Sequence, residues 1–208
     1  MPKKESPLHA LEAYLPEGAF EQVEAHLVQH HVHLTITRER STLLGDYRNR
    51  HQGRNHRISV NGNLNKFSFL ITLLHELAHL FTYEKYGHSV AAHGVQWKAE
   101  YRQILADFIA KKIFPGDIER ELLSTLNNPA ASSCAESSLL RVLRKYDPHR
   151  PGFYLLEELE ADSLFRVKEG KVYQKGKKVR KRYLCKDVLT KKMYLFSPVA
   201  EVELMSKA

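Results

Sequence analysis

The sequence has very little cysteine. Only Cys134 and Cys185 occur in 208 residues. Two cysteines cannot build a disulfide framework or a four-cysteine zinc ribbon. Long apolar runs are also missing. The longest, Phe67 to Leu74, is interrupted by Ser68 and Thr72. A membrane span needs about 20 apolar residues, so this run reads as a buried helix, and no membrane partner is expected. The opening MPKKESPLHALEAYLPEG carries basic residues with no continuous apolar stretch behind them, which argues against a secretory signal. These absences lead to the expectation of a protein of the reducing cytoplasm. No internal repeat is visible, and no motif that reads a base sequence.

What is present suits a folded chain. Hydrophobic residues make up 43% and charged residues 27%, close to soluble globular proteins. The length fits one domain and a small appendage. The formal charge of +8 is unevenly placed. Arg166 to Lys192 holds twelve Lys or Arg against Glu169 and Asp187, a local +10, which leaves −2 for the rest. The basic character therefore belongs to the C-terminal part.

Residues 6 to 31 read as an amphipathic helical opening, with Leu11, Leu15, Phe20, Val23 and Leu27 at helical spacing, split by Pro16 and Gly18. Residues 32 to 61 read as two or three antiparallel strands. These are Val32 to Thr37, an extended piece after a turn at Gly45-Asp46-Tyr47, and His56 to Asn61. Residues 66 to 85 follow the helical period, and a second helix runs from about His93 to Lys112. Shorter helices are expected near 117 to 126 and 136 to 146. Asp147-Pro-His-Arg-Pro-Gly152 is a strong break. After it come short strand-like runs at 164–167, 172–174, 182–185, 193–196 and 199–202. The expected class is α+β, with one domain over 1–150 and a small basic all-β module over 151–208. Cys134, in a polar stretch after Ala131-Ser-Ser, reads as a structural thiol, since nothing near it argues for a nucleophile.

His75-Glu76-Leu77-Ala78-His79 is an HExxH motif. On a helix, residues four apart share a face, so both imidazoles reach one ion. Glu76 projects from the edge of that face and is free to act on water at the metal. Zinc acidifies such water to a pKa of about 7, and a carboxylate can then take its proton. The bland alternative is a chance pattern in a chain with twelve histidines. Against it, the motif lies among Leu74, Leu77, Leu80 and Phe81, where unpartnered polar groups are costly. A catalytic site needs a third protein ligand. Glu84, His88, His93 and Glu100 are the candidates. Glu84 lies on the same helix but is turned away, and His88 falls in a loop. His93 opens the next helix, where a short loop can return it, which places it ahead of Glu100.

The pair Leu74-His-Glu-Leu-Ala-His79 and His93-Gly-Val-Gln-Trp97 resembles the SprT-like family of metallopeptidases. In that family an HExxH helix is followed, after a short loop, by an HG-x-x-[WF] segment. The strand ending Ile58-Ser-Val-Asn61 sits where the family has its sheet, and the resemblance spans roughly residues 15 to 115. It implies His93 as third zinc ligand and Glu76 as general base. It also implies a zincin-like fold, with a small antiparallel sheet packed on the HExxH helix. Eukaryotic relatives are DNA-dependent proteases acting on proteins crosslinked to DNA. Many members end in a zinc ribbon with paired cysteines. This tail keeps only Cys185, so a degenerate, ribbon-like module without a second zinc is expected.

Lys171, Lys175, Lys177, Lys178, Arg180, Lys181 and Arg182 cluster within twelve residues, with Tyr173 and Tyr183 interleaved and Phe165 and Tyr194 nearby. Basic side chains neutralise phosphates and aromatic faces stack on unpaired bases, so this cluster is expected to bind single-stranded DNA or RNA. The competing reading makes Gly176-Lys177-Lys178 a solvated turn and the tyrosines a small core. The functional expectation is a zinc-dependent metalloendopeptidase acting on proteins associated with nucleic acid. An edge strand near Arg57 to Val60 would pair with an extended substrate. The alternative is a non-catalytic, zinc-containing nucleic-acid or transcription-associated binding protein. Glu76 between the histidines favours the enzyme, because a structural site has no need of it and prefers a fourth ligand, for which His88 is the available residue.

Overall fold

The computed structural model describes residues 8–40, 43–51, 53–127, 129 and 136–206, which form two units, 1–147 and 148–208. Cys134 lies outside the described residues. The first unit opens with a 3-10 segment, Leu8–Tyr14, followed by helix α1, Phe20–Gln29. The break between them falls at Pro16 and Gly18, as the turn residues dictate.

Three strands follow, β1 (Val32–Thr37), β2 (Gly45–Arg48) and β3 (His56–Asn61). Their order is β1-β3-β2. The pairing departs from the expected antiparallel set. β2 runs antiparallel to β3, but β1 and β3 are parallel, with Val32 opposite His56 and Thr37 opposite Asn61. The physical reason is that β2 lies between them in sequence. The hairpin from β2 into β3 reverses the chain once more and returns it in the direction of β1. Period-two alternation is the same in either arrangement, so the sequence pattern cannot distinguish them. Gly45-Asp46-Tyr47, expected as a turn, is strand. Arg57 to Val60, expected at an edge, lies in the central strand with a neighbour on each side.

Helix α2, Lys66–Tyr86, is buried on nearly every face from Ser68 to Ala78. A helix apolar all round belongs at the centre of a unit. Its start is fixed by Asn65, whose Oδ1 accepts the Ser68 backbone N–H at 2.9 Å, while its Nδ2 donates to the Leu143 carbonyl at 3.1 Å. One side chain thus caps α2 and ties it to the segment before residue 147. Helix α3, Val95–Ala110, packs on α2 through Trp97, Tyr101, Ile104 and Phe108. Helices α4 (Gly116–Thr125) and α5 (Ser137–Leu143) complete the unit. No helix among the described residues is long and apolar enough to cross a membrane.

The second unit holds seven short strands: β4 (Phe153–Leu155), β5 (Leu164–Arg166), β6 (Val172–Gln174), β7 (Lys178–Val179), β8 (Arg182–Asp187), β9 (Met193–Phe196) and β10 (Glu201–Ser206). They pair in the order β4-β10-β5-β6-β8-β7, with β9 also on β8. Phe165, Tyr173, Cys185 and Val202 are buried at the centre. Tyr173 packs against Phe165 and Phe196, with ring centroids 5.8 and 4.8 Å away, so these rings are core and not platforms for bases. The hairpin turn sits at Arg180-Lys181, between the paired Val179 and Arg182, and not at Gly176-Lys177-Lys178. Gly176 is needed for a different reason: its backbone passes against the Leu184 carbonyl, where a Cβ has no room.

Lys175 corrects a second expectation. It is buried, with Nζ donating to the carbonyls of Leu159 and Glu157 and lying 4.4 Å from the centre of the Tyr183 ring. It follows directly on β6, two residues after Tyr173, and the same alternation turns it inward, so it is unavailable to a phosphate. The other six basic residues of the cluster are exposed. Lys175→Met should therefore destabilise the full-length protein by about 1–3 kcal/mol, because two carbonyls lose their donor. Thermal denaturation measures this.

Candidate metal centre

Three imidazoles meet above Trp97. His75 and His79 project from successive turns of α2, and His93 stands two residues before α3. Their ring centroids lie 4.6, 5.3 and 4.8 Å from that of Trp97, in the order His75, His79 and His93. Tyr101, one turn along α3, stacks beneath Trp97 at 5.1 Å with the rings 15° apart. The buried indole is therefore the floor that sets the separation of the two metal-facing elements.

The donor set fits zinc. One ligand atom from each histidine lies within 4.8 Å of the other two. His75 Nε2 and His93 Nε2 are 3.3 Å apart. A tetrahedral zinc with bonds of about 2.0–2.1 Å holds its ligand nitrogens about 3.3–3.4 Å apart. Burial keeps all three rings neutral, the form a metal requires. It pushes His75 down to about 3 and His79 down to about 4, with neighbouring histidines adding to the effect, and it lowers His93 as well.

The other candidates lie elsewhere. Glu84 binds His30 Nδ1 at 2.7 Å, and Glu100 takes the Lys85 ammonium at 2.7 Å. His88 is exposed, edge-on to Tyr83 at 5.1 Å, on the rim of the cleft and outside the trio.

Glu76 stays off the trio. It is 5% exposed, and burial, helped by Asp46, raises its carboxyl to about 8 against the opposing effects of Arg40 and of the Tyr47 backbone N–H that it accepts. β2 passes so close that a Cβ on Gly45 would lie 2.6 Å from Glu76 Oε1 and 2.8 Å from Thr72 Cγ2. Glycine in a strand interior often marks such a close approach. Together β2, α2 and the loop 87–93 bound a cleft of about 590 Å³, with His75, Glu76, His79 and His93 in its wall.

Sequence pattern gave no role to the second layer. The Tyr47 ring lies parallel to His79, at 6.4 Å and 6°. Its hydroxyl donates to His56 Nδ1 at 2.9 Å, and the Arg50 backbone N–H donates to the same nitrogen at 3.3 Å. An acceptor of two donors carries no proton, so the proton of His56 is on Nε2, which faces Glu84 Oε1 at 3.7 Å. These residues come from β2, β3 and α2, and no short-range spacing links them.

Comparison with protein families places this geometry. Residues 16–114 match the model of the SprT-like family. The chain carries a SprT-like domain. The matched segment includes α1, the three-stranded sheet, the HExxH helix and the whole of α3. Comparison with curated proteins and with solved structures gives no match.

The contact between β2 and Glu76 can be tested by substitution. Gly45→Ala should destabilise the metal-free protein by about 1–3 kcal/mol through overpacking. Gly116→Ala, where nothing lies within 4 Å of the added Cβ, should instead stabilise by about 0.4–1 kcal/mol. Chemical denaturation of the two variants checks the contrast.

Proposed function

We propose that this protein is a cytoplasmic zinc-dependent metalloendopeptidase with a zincin-type site. In this reading His75, His79 and His93 hold the metal and Glu76 is the general base. The observation that carries it is the division of labour in one cleft: three neutral imidazoles converge, while a buried carboxylate on the same helix stays outside their cluster. A structural zinc is usually closed by four protein ligands; among the described residues the histidine trio has no fourth partner.

Zinc, when bound, supplies a Lewis acid that polarises the scissile carbonyl and acidifies water. The rest is the work of the chain. A nearby cation favours the ionised form of Glu76, opposing the burial that raises its carboxyl. An Oε of Glu76 then accepts a proton from the attacking water and returns it to the amine as the C–N bond breaks. The Tyr47 N–H orients that carboxylate, and Trp97 walls off the opposite side of the imidazoles. β2 is the sheet edge beside the cleft, so an extended substrate is proposed to lie along β2 and not along β3.

The substrates proposed are proteins associated with nucleic acid. Lys171, Lys177, Lys178, Arg180, Lys181 and Arg182 of the second unit are exposed and form the proposed contact to single-stranded DNA or RNA. Zinc-loaded protein should cleave an unstructured protein and a basic DNA-binding protein, faster with single-stranded DNA. Glu76→Gln should keep its zinc and lose about 10²–10⁴-fold in rate. Equal cleavage by that variant would overturn the assignment of the base. Zinc and DNA retained with no cleavage under any condition would favour a non-catalytic binding protein.

A further inference from the structure

The second unit is not the only cationic surface. The hairpin from Arg48 to Arg57 carries four arginines and two histidines, with no acid and no aliphatic or aromatic hydrophobic side chain. Strand register sets Arg48 directly opposite Arg57, and His33 of β1 opposite Arg57 on its other side. Like charges placed opposite one another on a sheet are destabilising. Asp46 relieves Arg48, at 2.8 Å. Arg50, Arg54 and Arg57 are exposed and make no ion pair among the described residues.

The described residues of the hairpin are tied to the fold by hydrogen bonds. His51 and Arg54 exchange both backbone hydrogen bonds across its tip, at 3.3 and 3.0 Å. Its base is pinned by His56, which is 2% exposed and whose Nδ1 accepts the Arg50 N–H. A hollow of about 470 Å³ opens under it, lined by Arg50, His51, Arg54, Asn55 and His56. The acid in that hollow, Glu84, is bound to His30 at 2.7 Å. The buried His56 Nε2, a donor by the tautomer argument above, has no hydrogen-bond partner. Tyr83 lines both this hollow and the cleft, and Asn49 lines the cleft itself.

We propose that the β2–β3 hairpin is a phosphodiester-binding element of the SprT-like domain, which holds a nucleic-acid strand beside the cleft through Arg50 and Arg54. The planar forks of arginine match phosphate oxygens in pairs, and a prearranged loop loses little freedom on binding. With no apolar side chain in the hairpin, recognition is by charge and not by base. A nucleic-acid strand is favoured over an acidic peptide because repeated phosphates match the forked donors of arginine, while the hairpin has no apolar side chain to hold those of a peptide. The inference deepens the nucleic-acid part of the proposed function and rests on it. It adds a second contact, placed where a protein held on that strand meets the metal centre.

The test uses full-length protein in the Glu76→Gln background, so that hydrolysis plays no part. Binding of a fluorescent single-stranded DNA is measured across a range of salt concentrations. Each phosphate contact contributes about 0.7 to the log–log salt slope for single strands. Arg50→Ala/Arg54→Ala should therefore lower the slope by about 1.4 and weaken binding, with zinc content and melting temperature unchanged. The loss should add to that of a variant lacking Lys177, Lys178, Arg180, Lys181 and Arg182. A slope and affinity equal to the parent's overturn the inference, as do absence of DNA binding in the parent and displacement of DNA by polyglutamate at equal charge. None of these outcomes touches the peptidase assignment, which wild-type cleavage tests separately.

Discussion

Two ionisable side chains on adjacent positions of the most deeply buried helix constrain everything around them. His75 and Glu76 are 4% and 5% exposed, among leucines and isoleucines that are fully buried. His75 Nδ1 has no hydrogen-bond partner, and Glu76 is held far from its ordinary carboxyl range. Such groups persist in a core only if something compensates them. In the proposed site a cation on His75 Nε2 would offset the burial of the ring, though not give Nδ1 a partner, and by proximity it would favour the ionised glutamate. On the proposed reading the site is a local weakness of the metal-free fold that metal binding would offset.

The remaining architecture serves that pair. Trp97 fixes the distance between α2 and the segment carrying His93. Gly45 lets β2 approach until its backbone reaches Glu76. Tyr47 spans from His79 to His56, and His56 in turn anchors the arginine hairpin. The metal centre and the cationic hairpin thus share a common support.

Much of this could be read from residue order, where the determining interactions are local. The HExxH face follows from helical spacing alone, and His93 from its short motif with Trp97. Lys175 could also have been placed, since the alternation of β6, continued two residues past Tyr173, turns it inward. The four arginines of 48–57 are plain in the sequence, but the larger charge of the C-terminal segment overshadows them. What could not be read depends on distant pairing. Parallel β1 and β3 alternate as antiparallel strands do. Gly45 reads as a turn until the helix it must approach is known. The chain from Tyr47 through His56 to Glu84 joins three elements with no common spacing.

The central claim is that three imidazoles hold a zinc whose fourth position is open. X-ray absorption of the zinc-loaded, full-length protein tests it directly. The expected result is three imidazole nitrogens and one further light ligand at about 2.0–2.1 Å, the last exchangeable with a small anion. A fourth imidazole, or a sulfur at about 2.3 Å, would show a closed structural site and contradict the account.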